Sequence, residues 1–304
     1  MSLENWMSEL PEPLHNKPLT SLCIPGSHNS GTAKLNVNSP IGADQPAFLQ
    51  AFGGQAMIRR AVYDWSKDQT LSFAEQLRVG VRFFDLRVAM VNGEPRLVHG
   101  LYCQDVPSAL LEILEFLGDH PKEIAFIDFN HFYNFTNKDH EELLTVISSL
   151  FDVKLCPRKA PASNATLKEL WAAEQQAIVF YQPTGDHKNI PLPPFVWTCA
   201  DIKSPWPRTE VTANMLKEVG EILGSRRLGD GFQACQAIVT LDPRSVMKQP
   251  MGTFEHRYAR QATNAVVEWL KTNASEIRSS LNILLCDFVD EANFCQVVVD
   301  LNRL

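Results

Sequence analysis

The residues in this chain that can do chemistry fall in a pattern. His28 and Asn29 follow the apolar run 22–24 in SLCIPGSHNS. Asp85 and Arg87 stand two apart in VRFFDLRV, and His99 ends LVH ahead of Gly100. Asp128 and Asn130 lie in IAFIDFNHF, and Asp287 lies in LLCDFVDE. Imidazoles can take and return protons near neutral pH. A guanidinium can hold phosphoryl oxygens in a fork, and carboxylates can orient and charge the imidazoles. Brought to one place, these groups suit general acid–base work on a phosphorylated substrate.

Each residue also has a plainer reading. His28 or His99 taken singly is a capped or exposed histidine. Strand alternation puts Asp85 and Arg87 on one face, where they read equally as a structural ion pair; Arg82, of opposite parity, reads as outside. Asp242, before Pro243, suits a turn or cap. Asp287 competes with Asp290 and Asn293 to cap the last helix. His131, His140, His187 and His256 read as surface residues.

Short apolar runs alternate with amphipathic segments. Candidate strands are 21–24, 81–88, 96–99, 123–129, 177–181, 195–198, 236–241 and 282–288. Most lack strict alternation, as in strands buried on both faces. Between them lie helical patterns such as 106–119, where Ala109, Leu110, Ile113, Leu114 and Leu117 share a face. The expected fold is α/β, a distorted TIM-type (β/α)8 barrel forming one domain over 1–304. The link AMVNGEP is too short for a helical crossover, so a helix is irregular or missing between strands 2 and 3. Such barrels do their chemistry at the C-terminal strand ends. There the candidates stand, with Tyr181, Trp197 and Asp201 on the fifth and sixth strands. Pro25-Gly26 is read as ending the first strand, so that His28 reaches the barrel mouth.

The bulk numbers exclude other classes. The chain has 304 residues, 45% hydrophobic and 21% charged, with net charge -7. That charge does not attract nucleic acid or an anionic membrane surface. Seven scattered cysteines show no metal spacing, and Cys23, Cys199, Cys235, Cys286 and Cys295 read as buried apolar residues in a reducing compartment. No signal peptide or membrane-spanning run is evident. The sequons at Asn134, Asn164 and Asn273 are read as chance.

SLCIPGSHNS, VRFFDLRV, LVHGLY and HPKEIAFIDFNHF together resemble the phosphatidylinositol-specific phospholipase C X domain, above all its stand-alone eukaryotic members. The resemblance covers almost the whole chain. It implies a phosphodiesterase that cleaves phosphatidylinositol-type lipids to diacylglycerol and an inositol (cyclic) phosphate. His28 falls on the general base and His99 on the general acid. Arg87 falls on the phosphate-binding arginine of the bacterial, metal-free enzymes, with Asp85 on the carboxylate before it and Asp287 on the aspartate that orients the first histidine. The position of Asp128 holds a lysine in bacterial enzymes and a calcium-binding glutamate in the large eukaryotic ones.

Asn29 departs from the pattern. Bacterial and many stand-alone members have SHD, whose aspartate supports the second histidine; SHN is the form of the calcium-dependent enzymes. An asparagine can accept a hydrogen bond from His99 but cannot stabilise imidazolium by charge. The expectation is a weaker acid–base partner; the alternative is a site reverting toward calcium, with Asn29, Asp85 and Asp128 as candidate ligands. Calcium takes six to eight oxygen ligands, and Arg87 would set a permanent positive charge beside it, so a mechanism without cofactor or metal is expected. Asn29, Asp128, Tyr181 and Trp197 are candidate substrate-binding residues; Tyr181 and Trp197 either stack on the inositol ring or simply pack. The segment 33–70 either docks on a bilayer or covers the barrel flank. The expected location is cytoplasmic with peripheral membrane contact. Two other readings stay open: a catalytically weak phosphoinositide-binding protein of the same fold, and a related barrel phosphodiesterase for another head group.

Overall fold

The computed structural model describes residues 3–304 except 163–164, 188, 228, 243–244 and 247–251; the sequon at Asn164 lies outside the described residues. Ten strands form: β1 (Ile24–Ser27), β2 (Phe83–Val91), β3 (Glu94–His99), β4 (Leu101–Asp105), β5 (Ala125–Tyr133), β6 (Ala177–Tyr181), β7 (Val196–Trp197), β8 (Ile202–Lys203), β9 (Phe232–Gln236) and β10 (Ile283–Cys286). Eight of them pair in the order β7-β6-β5-β2-β1-β10-β9-β8. Every neighbouring pair on that path is parallel. The result is an α/β barrel whose seam falls between the two-residue strands β7 and β8.

Alternation sorts the side chains into two layers. Ile24, Phe83, Phe126, Ile178, Phe180, Phe232, Ile283 and Leu285 fill the interior. Phe84, Leu86, Ile127, Val179, Leu284 and Cys286 face the helices. Burying each large apolar side chain contributes about 1.5–3 kcal/mol. The N-terminal residues Trp6, Met7 and Leu10 close the bottom of the interior cluster. Arg82, of the parity that faces the helices, is nonetheless fully buried, packing on Trp6 and Phe116 and pairing with Glu123 at 2.7 Å. Higher along the same inward faces, Asp85, Asp128 and Asp287 replace apolar residues. That polar layer costs stability unless it is hydrogen-bonded, and it marks the end of the barrel where the candidate site residues gather.

The structure corrects several expectations. The link after β2 carries no helix, but the strand it leads to is not a barrel strand. β3 pairs antiparallel with β2 and with β4, forming an arm off the sheet. Residues 96–99 read as a strand correctly; sequence pattern does not reveal a strand's partner. The seventh strand lies earlier than 236–241, at β9, and β4 and β8 were not foreseen. Pro25 and Gly26 lie inside β1. A Cβ on Gly26 would come within 3.1 Å of Leu285 and 3.2 Å of Phe83, so the glycine allows close strand packing rather than ending the strand. All seven cysteines are unpaired, and Cys199 is exposed.

Candidate active site

His28 leaves β1 with its backbone N–H still donating to the Cys286 carbonyl of β10 at 3.1 Å. Its ring therefore begins beside Asp287, whose Oδ1 lies 2.7 Å from Nδ1. A carboxylate only accepts, so Nδ1 carries the proton and Nε2 presents its lone pair, which accepts from Asn29 Nδ2 at 3.1 Å. Burial works to lower the His28 pKa. Asp287, with Asp68 and Asp85 at 3.8 and 3.9 Å, overrides it and holds the ring above its ordinary value. Two left-handed residues bracket this pair, Asn29 at φ 42° and Phe288 at φ 45°. Asparagine tolerates that region; phenylalanine is an outlier there. Phe288 is held in place by its buried ring and by its N–H, which donates to the Asp68 carbonyl at 2.7 Å.

Asp85 and Arg87 face the same cleft, together with Asn29 and His99. They do not spend themselves on each other. Asp85 Oδ2 accepts the Asn29 backbone N–H at 2.9 Å, and its Oδ1 accepts the Asn130 amide in a very short bond. Burial raises the Asp85 carboxyl, but His28, Arg87 and the Asn29 N–H outweigh it and keep it below the usual carboxylate range. The Nε of Arg87 is buried without a partner among the described residues. Asp128 stands opposite Asp85 in register. Its oxygens accept Gln182 Nε2 at 2.6 Å and Asn130 Nδ2 at 3.2 Å. Burial, reinforced by Asp85, pushes its pKa up to about 7.

His99 arrives from the β3–β4 arm, which the parallel sheet alone would not supply. The turn rests on Gly100, at φ 71°, where a Cβ would strike the Ser66 side chain. The two imidazole centroids lie 6.3 Å apart. His99 Nε2 lies 3.3 Å from Asp68 Oδ2, and its Nδ1, 3.9 Å from Asp44 Oδ2, has no hydrogen-bond partner among the described residues. Burial, Arg87 and His28 press its pKa well down. Burial and Asp287 push Asp68 up to about 8 against His28, Asn29 and Arg87. The Asp68 carboxyl, 3.3 Å from His99 Nε2, is thus held above its ordinary value and the His99 ring below its own.

The fold gathers His28, Asp85, Arg87, His99 and Asp287 at one mouth, with Asp128 beside them. It corrects four expectations. Asn29 does not bond His99: its amide donates to Asp68 Oδ2 at 2.7 Å and to His28, and its Oδ1 has no partner among the described residues. The left-handed backbone turns the side chain that way. Tyr181 is fully buried on the helix side, its hydroxyl 2.8 Å from His140 Nδ1, so His140 is not a surface residue either. Trp197 is fully buried between Phe180 and Phe232, its indole N–H donating to Cys156. Neither ring offers a face to a substrate. Sequence reasoning missed Asp44, Asp68, Gln69 and Gln182. Gln69 Nε2 donates to the carbonyls of His28 and Cys286 at 2.9 and 3.0 Å, tying the two strand ends.

Asn29, Asp85 and Asp128 do not fit a calcium ion. All four oxygens of the two carboxylates already accept N–H groups, and Arg87 shares the cleft with Asp85 and Asn29. His28, Asp68 and Asp287 offer ligand atoms within 4.8 Å of one another; the His28–Asp287 and Asn29–Asp68 hydrogen bonds account for that closeness. No helix among the described residues is long and apolar enough to cross a membrane.

No protein-family model matches the chain. Among curated proteins, it is 34% identical over 304 residues to PI-PLC X domain-containing protein 2 of Mus musculus, covering 99% of this chain and 88% of that protein. It is 33% identical over 311 residues to PI-PLC X domain-containing protein 3 of Homo sapiens, covering 99% and 94%. Among solved structures, the phosphatidylinositol-specific phospholipase C of Listeria monocytogenes superposes with TM-score 0.73 at 18% identity, with both chains fully covered. That of Staphylococcus aureus superposes with TM-score 0.70 at 18% identity, covering 100% of this chain and 98% of the other.

Proposed function

The chain belongs to the family of PI-PLC X domain-containing proteins, and we propose that it is a metal-independent phosphodiesterase for phosphatidylinositol-type lipids. One observation carries the reading. The buried Nε of Arg87, without a partner among the described residues, shares a cleft with His99, and the His28 ring, paired with Asp287, lies 6.3 Å from that of His99, whose Nε2 is 3.3 Å from Asp68. Buried polar groups are rarely left unpaired, and an anion with a transferable proton satisfies all three.

In the proposed reaction the inositol 2-hydroxyl displaces the Asn29 amide from His28 Nε2. His28 takes the hydroxyl proton while Asp287 steadies the imidazolium. The alkoxide attacks phosphorus within the same molecule, so proximity supplies much of the rate. Arg87 binds the phosphoryl oxygens as charge develops. His99 protonates the departing diacylglycerol oxygen, and inositol 1,2-cyclic phosphate remains. Two short helices in the segment joining β1 to β2, Ala47–Ala51 and Ala56–Ser66, carry exposed apolar side chains beside this mouth. Phe48 is 68% and Met57 84% exposed. They rest on the bilayer in this reading, by apolar insertion rather than by charge.

The test is release of water-soluble inositol phosphate from phosphatidylinositol vesicles, in calcium and in chelator. Equal rates are expected; an absolute need for calcium overturns the metal-free assignment. Phe48→Ser with Met57→Ser is expected to slow hydrolysis of vesicles and spare a short-chain monomeric substrate. Equal loss on both removes the docking role.

A further inference from the structure

We propose that Asp68, contributed by the segment between β1 and β2, is the proton-holding partner of His99 and positions it to protonate the leaving group. This rests on the phosphodiesterase reading above. Asp68 is 1% exposed, and its Oδ2 is the carboxylate oxygen nearest His99, 3.3 Å from Nε2. Asn29, the residue expected to serve His99, instead donates its amide to that same oxygen at 2.7 Å. The asparagine therefore clamps the carboxyl, and the carboxyl serves the histidine. The backbone fixes Asp68 as well: its N–H donates to Thr32 Oγ1 at 3.1 Å and its carbonyl accepts from Phe288 at 2.7 Å. Asp68 is thus tied to the turns after β1 and after β10, the two that carry His28 and Asp287.

The step balances as follows. The bond from the 2-oxygen to phosphorus forms, and the bond from phosphorus to the diacylglycerol oxygen breaks. His99, which lines the cleft, gives its Nδ1 proton to that oxygen; Nδ1 is buried and has no hydrogen-bond partner among the described residues. Nε2 takes the Asp68 proton, and Asp68 ends as a carboxylate that solvent later reprotonates. The groups that set this titration are His28, Asp287, Asn29 and Arg87 facing Asp68, and Arg87, His28 and Asp44 facing His99.

The test is the isosteric Asp68→Asn variant, assayed on phosphatidylinositol and on an inositol phosphodiester with a nitrophenyl leaving group, which departs without a proton. Loss of an acid catalyst lowers rate by about 10²–10⁴-fold. That loss is expected in kcat on the lipid, with KM little changed and the nitrophenyl substrate spared. Equal loss on both substrates overturns the proposal. NMR titration of the His99 ring gives an answer independent of turnover. In wild type it should report a step near pH 8, which Asp68→Asn abolishes, leaving only the ring's own titration at lower pH. An unchanged His99 titration overturns the proposal. If wild type turns over neither substrate, the phosphodiesterase reading fails, and the titration alone still decides whether Asp68 holds the proton.

Discussion

Replacing His28 with asparagine lowers kcat on phosphatidylinositol by about 10²–10⁴-fold, the usual share of a general base, with little change in KM. Proton transfer to His28 occurs only in the transition state, so ground-state binding is largely untouched. Asparagine is chosen over alanine because the Asp287 carboxylate, 2.7 Å from Nδ1, keeps a donor in reach. Alanine would leave a buried charge unpaired and confound catalysis with folding. The pH profile carries the same signature. His28 must be neutral to act, and Asp287 holds it above its ordinary value despite burial. The midpoint of the acid limb therefore lies above the ordinary histidine value of about 6.5. The alkaline limb falls as Asp68, pushed up to about 8 by burial and Asp287, loses its proton. His28→Asn erases the acid limb and keeps the alkaline one. Wild-type activity that is flat from acid to neutral pH removes His28 as the base.

Arg87→Ala costs a comparable amount, about 10²–10³-fold in kcat, as for the loss of one transition-state donor in a buried site. Arg87→Lys restores charge but not the planar fork that meets two phosphoryl oxygens, so it recovers only part of the rate. Steady-state kinetics of the two variants, with folding checked by thermal denaturation, distinguish binding from catalysis. Full activity in Arg87→Lys reduces the residue to a point charge. Full activity in Arg87→Ala removes it from the mechanism. Stability should hold in Arg87→Lys, which keeps the charge beside Asp85, and fall modestly in Arg87→Ala, which removes it.

The sequence displayed the barrel through its apolar strand runs, and displayed the candidate site residues because those runs end in polar residues of one parity. Phe83, Asp85 and Arg87 read along one face of β2, as do Phe126, Asp128 and Asn130 along β5. What it hid follows from long-range geometry. Residues 94–99 look like any strand, and only the pairing of β3 with β2 shows that this one leaves the barrel. Tyr181 ends a strand as Asp287 follows one, yet its parity places it with the helices. Asp68 sits in the polar stretch SKDQT, which has no periodicity, and reaches Asn29 only through folding across 39 positions. No local pattern could have paired it with His99. The departure at Asn29, read in isolation, pointed to a weakened acid; the fold supplies a carboxyl from elsewhere.

The most direct test of the account is ³¹P NMR of the water-soluble product formed from phosphatidylinositol vesicles in the presence of chelator. A metal-free attack by the inositol 2-hydroxyl under His28 and Arg87 predicts the five-membered cyclic phosphodiester as the first species, present in wild type and absent in His28→Asn. A first product that is the open phosphomonoester, or no product until calcium is restored, contradicts it.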